Sequence, residues 1–261
     1  MNLAISNIAW EKSDDAQMYM QMKTLGFTGL EIAPTRIFPQ MPYQYCSEAE
    51  QFAAQLKENY GLSIVSMQSI WHGKNGTIFE SDIQRQMFVD YTKEAIHFAE
   101  AVQCPNLVFG CPRNRAVRNE KDVEAAKRFF YEIGEYAYKH HTCIAVEPNP
   151  VIYHTNFLNT TAEAIAFLKA VGTPGCKLNL DVGAMIYNSE DVSIIKEYLP
   201  QINHVHISEP YLKRLEKRKM YHELYKILKG KYAHYISIEM AQGNSPEEIF
   251  SIMEYVKEIF L

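Results

Sequence analysis

The chain has 261 residues, of which 47% are hydrophobic and 22% are charged, as in an ordinary folded protein. Its formal net charge of −5 argues against nucleic-acid binding, because such proteins gain affinity by neutralising phosphates with Lys and Arg. The apolar runs are shorter than the roughly 18–20 residues that a membrane span requires, so no membrane partner is expected.

The cysteines and the N-terminus point to the same compartment. The five cysteines form no CxxC pair, which favours reduced thiols. The segment Met1–Trp10 lacks the basic start of a secretory signal. We therefore expect a cytoplasmic protein with one domain over residues 1–261, and the sequence carries no signal of its oligomeric state.

Eight short runs that are rich in apolar and β-branched residues predict strands along the whole chain. They cover Leu3–Ala9, Gly29–Ala33, Leu62–Gln68, Asn106–Gly110, Cys143–Glu147, Lys177–Asp181, His204–Ile207 and Tyr235–Glu239. Longer helical patterns separate them, near residues 13–25, 82–102, 120–141 and 189–199. The last helix runs to about Phe260, and the highly charged segment Leu212–Leu228 is the least regular.

Three of the helices begin with the sequence of a capping box, in which a Ser or Thr and a Glu three residues later satisfy free backbone N–H groups. The pairs are Ser47 with Glu50, Thr160 with Glu163, and Ser245 with Glu248. Strands that alternate with single helices pair in parallel, and eight such units predict a closed (β/α)8 TIM barrel. An open doubly wound sheet is the alternative, but no Gly-rich phosphate loop follows any strand.

Polar residues end four consecutive predicted strands, at the face where barrel enzymes hold their active sites. We call Glu147, Asp181, His206 and Glu239 the four-residue cluster. Buried carboxylates need a partner, and a divalent cation would supply one. Three carboxylates and one imidazole suit Mn²⁺ first, with Mg²⁺, Co²⁺ or Zn²⁺ as alternatives. Hydrogen-bonded ion pairs in a barrel without activity are the other interpretation.

The motifs that contain these residues resemble a known family. They are Gly26-Phe27-Thr28-Gly29-Leu30-Glu31-Ile32, Ala145-Val146-Glu147-Pro148-Asn149, Leu180-Asp181-Val182-Gly183, His204-Val205-His206-Ile207 and Ser237-Ile238-Glu239. The sequence is similar to the sugar phosphate isomerase/epimerase family of the xylose-isomerase-like TIM barrel superfamily. The resemblance implies that the four-residue cluster holds the metal and that Glu147 and Glu239 are also the catalytic acid/base pair.

Two further expectations concern neighbours of the cluster. We expect strand alternation to turn His204 and His206 to opposite sides, and we assign the ligand to His206 partly on the resemblance. Similar ketose 3-epimerases carry a substrate-contacting histidine three residues after the aspartate, where this chain has Ala184. That departure argues against a simple 3-epimerase and against an endonuclease IV-like enzyme.

Three residues outside the cluster are predicted to bind substrate: Trp10, His72 and Glu209. An aromatic face packs on sugar C–H groups and an imidazole bonds a hydroxyl. The alternatives are core packing for Trp10, a structural role for His72, and a solvated or supporting carboxylate for Glu209. Glu31 is expected in a hydrogen-bonded network inside the barrel.

Two basic loops on the predicted catalytic face bear on the charge of the substrate. Arg113, Arg115 and Arg118 follow the fourth strand, and Lys213–Lys219 follows the seventh. On an acidic protein such residues favour an anionic small-molecule substrate, since they focus the local field. Solvated charged loops are the alternative.

The leading hypothesis is a metal-dependent isomerase or epimerase of a small sugar, sugar acid or sugar phosphate. It would transfer a proton through an enediolate, with Glu147 and Glu239 as acid and base. A dehydratase of a keto-polyol is the nearest alternative. A phosphodiesterase similar to an AP endonuclease and a sugar-binding barrel without turnover are the others.

Overall fold

A computed structural model describes all 261 residues and shows a closed barrel of eight parallel strands in chain order. The strands are β1 Asn2–Ser6, β2 Gly29–Ile32, β3 Ser63–Met67, β4 Leu107–Phe109, β5 Ile144–Val146, β6 Cys176–Asp181, β7 Ile202–Ile207 and β8 Tyr235–Ile238. The last strand pairs with the first, Leu3 beside Ile236, which closes the barrel. The predicted (β/α)8 architecture is confirmed, and a strand is present in each of the eight predicted segments. The predicted bounds Leu3–Ala9 are wrong at one end, because the strand stops at Ser6 and Asn7–Ala9 forms a 3₁₀ segment.

Nine α-helices cover the outside of the barrel and its ends. They are α1 Asp15–Leu25, α2 Pro34–Ile37, α3 Cys46–Tyr60, α4 Asp82–Ala101, α5 Glu120–Lys139, α6 Thr161–Val171, α7 Val182–Tyr187, α8 Lys219–Leu228 and α9 Pro246–Phe260. Short 3₁₀ segments lie in the connections, at Asn7–Ala9, Lys12–Asp14, Pro42–Gln44, Pro112–Asn114, Val151–Tyr153, Val192–Glu197, Leu199–Gln201 and Pro210–Leu212. None of the helices is both long and apolar enough to cross a membrane.

The helix starts confirm two of the three predicted capping boxes. Thr160 with Glu163 and Ser245 with Glu248 make both reciprocal hydrogen bonds at the starts of α6 and α9. The prediction for Ser47 is wrong, because α3 already begins at Cys46 and Ser47 therefore lies inside the first turn.

The predicted helix over residues 189–199 is also wrong. The α-helix of this connection is α7, which begins immediately after β6 because the Asp181 side chain accepts a hydrogen bond from the Gly183 N–H and caps it. The later segment forms only the 3₁₀ turns Val192–Glu197 and Leu199–Gln201.

The strands are buried on both faces, since the helices cover the outer face and opposing strands fill the inner one. One contiguous apolar cluster of 70 buried residues joins strands and helices. This packing holds the carboxyl ends of the strands at one face of the barrel, where the four-residue cluster lies.

Candidate metal centre and substrate pocket

The barrel brings the side chains of the four-residue cluster together at one mouth. Glu147 follows β5 directly, Asp181 ends β6, and Glu239 follows β8. The imidazole Nδ1 of His206, on β7, lies 2.9 Å from Glu147 Oε1 and 3.2 Å from Glu239 Oε2. Ligand atoms of these two glutamates and the histidine all lie within 4.8 Å of one another, close enough to bind one ion.

Asp181 lies on the wall of the same pocket. One of its oxygens accepts hydrogen bonds from the Gly183 N–H at 2.9 Å and from the Ser208 hydroxyl. Burial, together with the nearby charges of Glu147 and Glu239, raises the pKa of Asp181 to about 8. Three carboxylates therefore crowd around one imidazole, and this excess of buried negative charge is what a bound cation would relieve.

Glu31 on β2 sets the orientation of His206, because its side chain is buried in the barrel interior. Glu31 Oε2 accepts from His206 Nε2 at 2.9 Å, so Nδ1 faces the pocket. Burial lowers the pKa of His206, but the charges of Glu239 and Glu31 outweigh it and hold that pKa well above its usual range. Burial likewise opposes ionisation of Glu31, yet the two histidines keep its pKa well below its usual range.

The expectation that His204 and His206 point to opposite sides is wrong. Both are buried, and His204 Nε2 lies 3.1 Å from the same Glu31 oxygen that His206 contacts. The physical reason is that side chains alternate along a strand, so residues two apart share a face. His204 lies one pleat further from the mouth. The expected internal network around Glu31 is present, and Gln68 Nε2 extends it with a 3.2 Å hydrogen bond.

Both carboxylate oxygens of Glu147 are held by amide side chains. Asn179 donates to Oε1 at 2.8 Å and Asn149 donates to Oε2 at 3.1 Å. The buried guanidinium of Arg115 donates to the Glu147 carbonyl at 2.8 Å and to Asn149 Oδ1 at 2.9 Å. A Cβ at Gly110 would lie 2.8 Å from Glu147 Oε2, so only glycine leaves room for the carboxylate.

A cavity of about 200 Å³ opens above the cluster, and we call it the metal pocket. Polar and apolar side chains share its wall: Gln68, Ser69, Val108, Gly110, Cys111, Pro112, Glu147, Asn149, Tyr153, Asp181, Leu212 and Glu239. Tyr153 accepts the Tyr211 N–H at 2.9 Å, and burial with the nearby carboxylates keeps its pKa above the usual range. Its O–H is therefore free to donate into the pocket.

None of the three predicted substrate residues lies on the wall of the metal pocket. Trp10 is 1% exposed and its indole N–H donates to Asp15 at 2.8 Å. Glu209 is buried and accepts two hydrogen bonds from Arg218, at 2.5 and 2.6 Å. His72 is exposed and lines a neighbouring cavity.

Sequence reasoning missed the residues that support the cluster. Asn179 could have been found, since it precedes Asp181 by two positions on the same strand face. Asn149 stands in the motif Glu147-Pro148-Asn149. Tyr153 carries no local signal, because a loop brings it to the site. Arg115 was expected to favour an anionic substrate, but it is buried and donates to the carbonyl of Glu147 instead.

Fold and site together define a (β/α)8 barrel with a carboxylate–histidine centre at the carboxyl ends of its strands. The chain belongs to the xylose isomerase-like TIM barrel family, whose sequence model matches residues 20–259.

Three individual proteins that are similar to this chain share between 14% and 27% sequence identity with it. The chain is 27% identical over 215 residues to a probable ketose 3-epimerase from Synechocystis sp., covering 78% of this chain and 70% of that protein. D-psicose 3-epimerase from Clostridium cellulolyticum superposes with a TM-score of 0.79 at 14% identity, covering 100% of this chain and 99% of the other. For 3-keto-D-glucoside 4-epimerase from E. coli the values are 0.76 and 16%, with 99% of both chains covered. At these identities the structural likeness concerns the fold.

Proposed function

We propose that this chain is a metal-dependent sugar isomerase or epimerase in which Glu147 and Glu239 transfer the proton. The observation that carries the proposal is the position of the two glutamates, whose oxygens lie 2.9 and 3.2 Å from one imidazole nitrogen at the floor of the metal pocket. The ketose 3-epimerase and keto-glucoside epimerase among the similar proteins support the same class of reaction.

The residues present fit a divalent cation. Glu147, Glu239 and His206 offer donor atoms that lie within 4.8 Å of one another. Asp181, on the wall of the same pocket, would add a third hard carboxylate, and the full set suits Mn²⁺, with Mg²⁺, Co²⁺ or Zn²⁺ as alternatives. When bound, such an ion would polarise a substrate carbonyl and lower the pKa of the adjacent C–H. Glu31 would keep His206 in the tautomer that presents Nδ1.

The two glutamates approach the pocket from different strands, so they can act on different faces of a bound sugar. One carboxylate would remove the proton next to the carbonyl. The other would return a proton to the opposite face, giving an epimer, or to the neighbouring carbon, giving an isomer. The amides of Asn149 and Asn179 fix Glu147 for this transfer, since each holds one of its oxygens.

The wall of the metal pocket suits a small polyol. Apolar contacts from Val108 and Leu212 match the C–H groups of a sugar, and the side chains of Gln68, Asn149 and Tyr153 match its hydroxyls. The position three residues after the aspartate is the buried Ala184, which offers no polar contact.

The test is a panel of ketoses, keto-sugar acids and ketose phosphates incubated with Mn²⁺-loaded protein in D₂O and followed by NMR. We expect conversion of at least one compound with deuterium entering the carbon that loses its proton. The double variant Glu147→Gln/Glu239→Gln is the control. Conversion with full retention of the substrate hydrogen would replace proton transfer by a hydride shift. No conversion and no exchange by the metal-loaded protein would reject the proposal.

A further inference from the structure

A second cavity of about 500 Å³ adjoins the metal pocket. The two cavities have Ser69, Cys111 and Pro112 in common, which follow strands β3 and β4. A molecule bound in the metal pocket can therefore extend past these residues into the second cavity, which we call the side cavity.

The side cavity is basic, in contrast to the protein as a whole. His72, Lys74 and Arg113 line it, and none of its lining residues is Asp or Glu, whereas the chain carries a net charge of −5. The walls thus concentrate positive potential beside a pocket that holds three carboxylates. This separation of charge predicts two different ligand groups, a cation in one place and an anion in the other.

Arg113 differs from the other arginines of the catalytic-face loops. Arg118, Arg214 and Arg218 each hold a carboxylate, at 2.9, 3.3 and 2.5 Å. Arg115 is buried against the carbonyl of Glu147. Arg113 is exposed, has no carboxylate within ion-pair distance, and lines the side cavity, so its guanidinium is available to a ligand.

The side cavity is also built to hold its shape. The Asn114 side chain donates to the carbonyls of Lys74 and Gly76, at 3.2 and 2.7 Å, and so ties the loop after β4 to the loop after β3. Ser69 and Cys111, on the shared wall, have φ values of 53° and 43°. Such left-handed conformations are unfavourable for residues with side chains and concentrate at binding sites, where the surroundings enforce them.

We propose that the side cavity binds an anionic group of the substrate, a phosphate or a carboxylate carried several bonds from the reacting carbon. The proposal rests on the proposed function, since it assumes that a sugar occupies the metal pocket. Arg113 and His72 donate hydrogen bonds to the anion. Lys74 contributes less, because its Nζ lies 3.8 Å from the centre of the Tyr91 ring, which lines a different cavity together with Asp90 and Glu94.

The experiment measures binding of neutral and anionic ketoses to the Mn²⁺-loaded protein by isothermal titration. The neutral probes are D-fructose, D-tagatose and L-sorbose, and the anionic ones are the 6-phosphates of the first two and 5-keto-D-gluconate, the carboxylate that corresponds to L-sorbose. We expect at least one anionic probe to bind about tenfold or more tightly than its neutral counterpart, the worth of charge-assisted hydrogen bonds, and less so at high salt. In Arg113→Gln and in His72→Gln/Arg113→Gln this ratio should fall towards one.

The matched control is Arg128→Gln, which removes an exposed arginine from the outer helix α5 and should keep the ratio. Equal affinity for anionic and neutral probes, a ratio unchanged in His72→Gln/Arg113→Gln, or a ratio lost equally in Arg128→Gln would overturn the proposal. Its failure is distinct from that of the proposed function. Deuterium exchange without an anion preference rejects only the side cavity, and an anion preference without exchange on any probe rejects only the chemistry.

Discussion

The two glutamates of the cluster have separable roles, in binding and in proton transfer. A glutamine at either position preserves the shape and one oxygen donor but has no basic carboxylate. We therefore expect Glu147→Gln and Glu239→Gln each to retain metal while the chemical step slows by about 10² to 10⁴, the usual contribution of a positioned acid or base. Elemental analysis of the variants and single-turnover kinetics measure the two quantities. Unchanged turnover and deuterium exchange in both variants, with metal bound, would exclude the two-glutamate mechanism.

Glu31 gives a second prediction at the same scale, because it touches the centre only through His206. Its carboxylate accepts from Nε2 at 2.9 Å, and partners of this kind contribute about 10- to 100-fold to metal affinity. Glu31→Gln should lower Mn²⁺ affinity by such a factor, whereas Asp181→Ala and His206→Ala remove a ligand and should lower occupancy further. Titration of the metal-free variants with Mn²⁺ measures these affinities and shows their order. Wild-type affinity in Glu31→Gln would show that the imidazole is oriented by other contacts.

Single residues were predictable where strand geometry alone decides their position. A polar residue that ends a buried parallel strand must face the mouth, which located Glu147, Asp181 and Glu239. Side chains alternate along a strand with a period of two, so Asn179 and His204, each two residues before a member of the cluster, also face inward. Arg115 could not be found in this way, because it reaches the Glu147 carbonyl from a loop that includes the left-handed residue Cys111.

The caps offer a prediction at the scale of elements, with a control in the same chain. Ser245→Ala removes the hydroxyl that accepts the Glu248 N–H at 3.3 Å, and loss of such a cap costs about 1 kcal/mol. Ser47→Ala changes an exposed serine in the first turn of α3 that caps nothing, so a change within about 0.5 kcal/mol is expected. Denaturant unfolding of both variants measures the difference. Equal destabilisation would mean that the two helix starts are equivalent despite their different hydrogen bonds.

Elements were predicted best where a pattern is long or a cap is unambiguous. The strands and helices α4, α5 and α9 lie within a few residues of their predicted bounds. Between β6 and β7 the prediction failed, because the cap that starts α7 is Asp181 itself. The sequence pattern identified Asp181 as the end of a strand and as a ligand, but the same residue also caps a helix. Apolar periodicity does not distinguish these two roles.

The whole barrel responds to pH through the excess of negative charge at its mouth. Burial and two neighbouring carboxylates raise the pKa of Asp181 to about 8, above about 3.9 in an unfolded chain. The folded state therefore binds this proton more tightly, and the resulting stability, fully present at low pH, is lost as pH rises towards 8. The raised pKa values of Glu239 and His206 act in the same direction. The low pKa of Glu31 stabilises the folded state by an amount that does not change above about pH 5.

Metal-free protein should therefore unfold at a lower temperature at pH 8.5 than at pH 6. Mn²⁺ holds the carboxylates ionised and competes with their protons, so the increase in melting temperature that it produces should grow over the same interval. Asp181→Asn removes the titrating carboxylate and should flatten the dependence in the metal-free protein. Thermal unfolding with chelator and with excess Mn²⁺ at the two pH values supplies the measurement. If the metal-free protein were more stable at pH 8.5 than at pH 6, the three carboxylates would not be crowded enough to require a cation, and the metal-dependent function would lose its electrostatic basis.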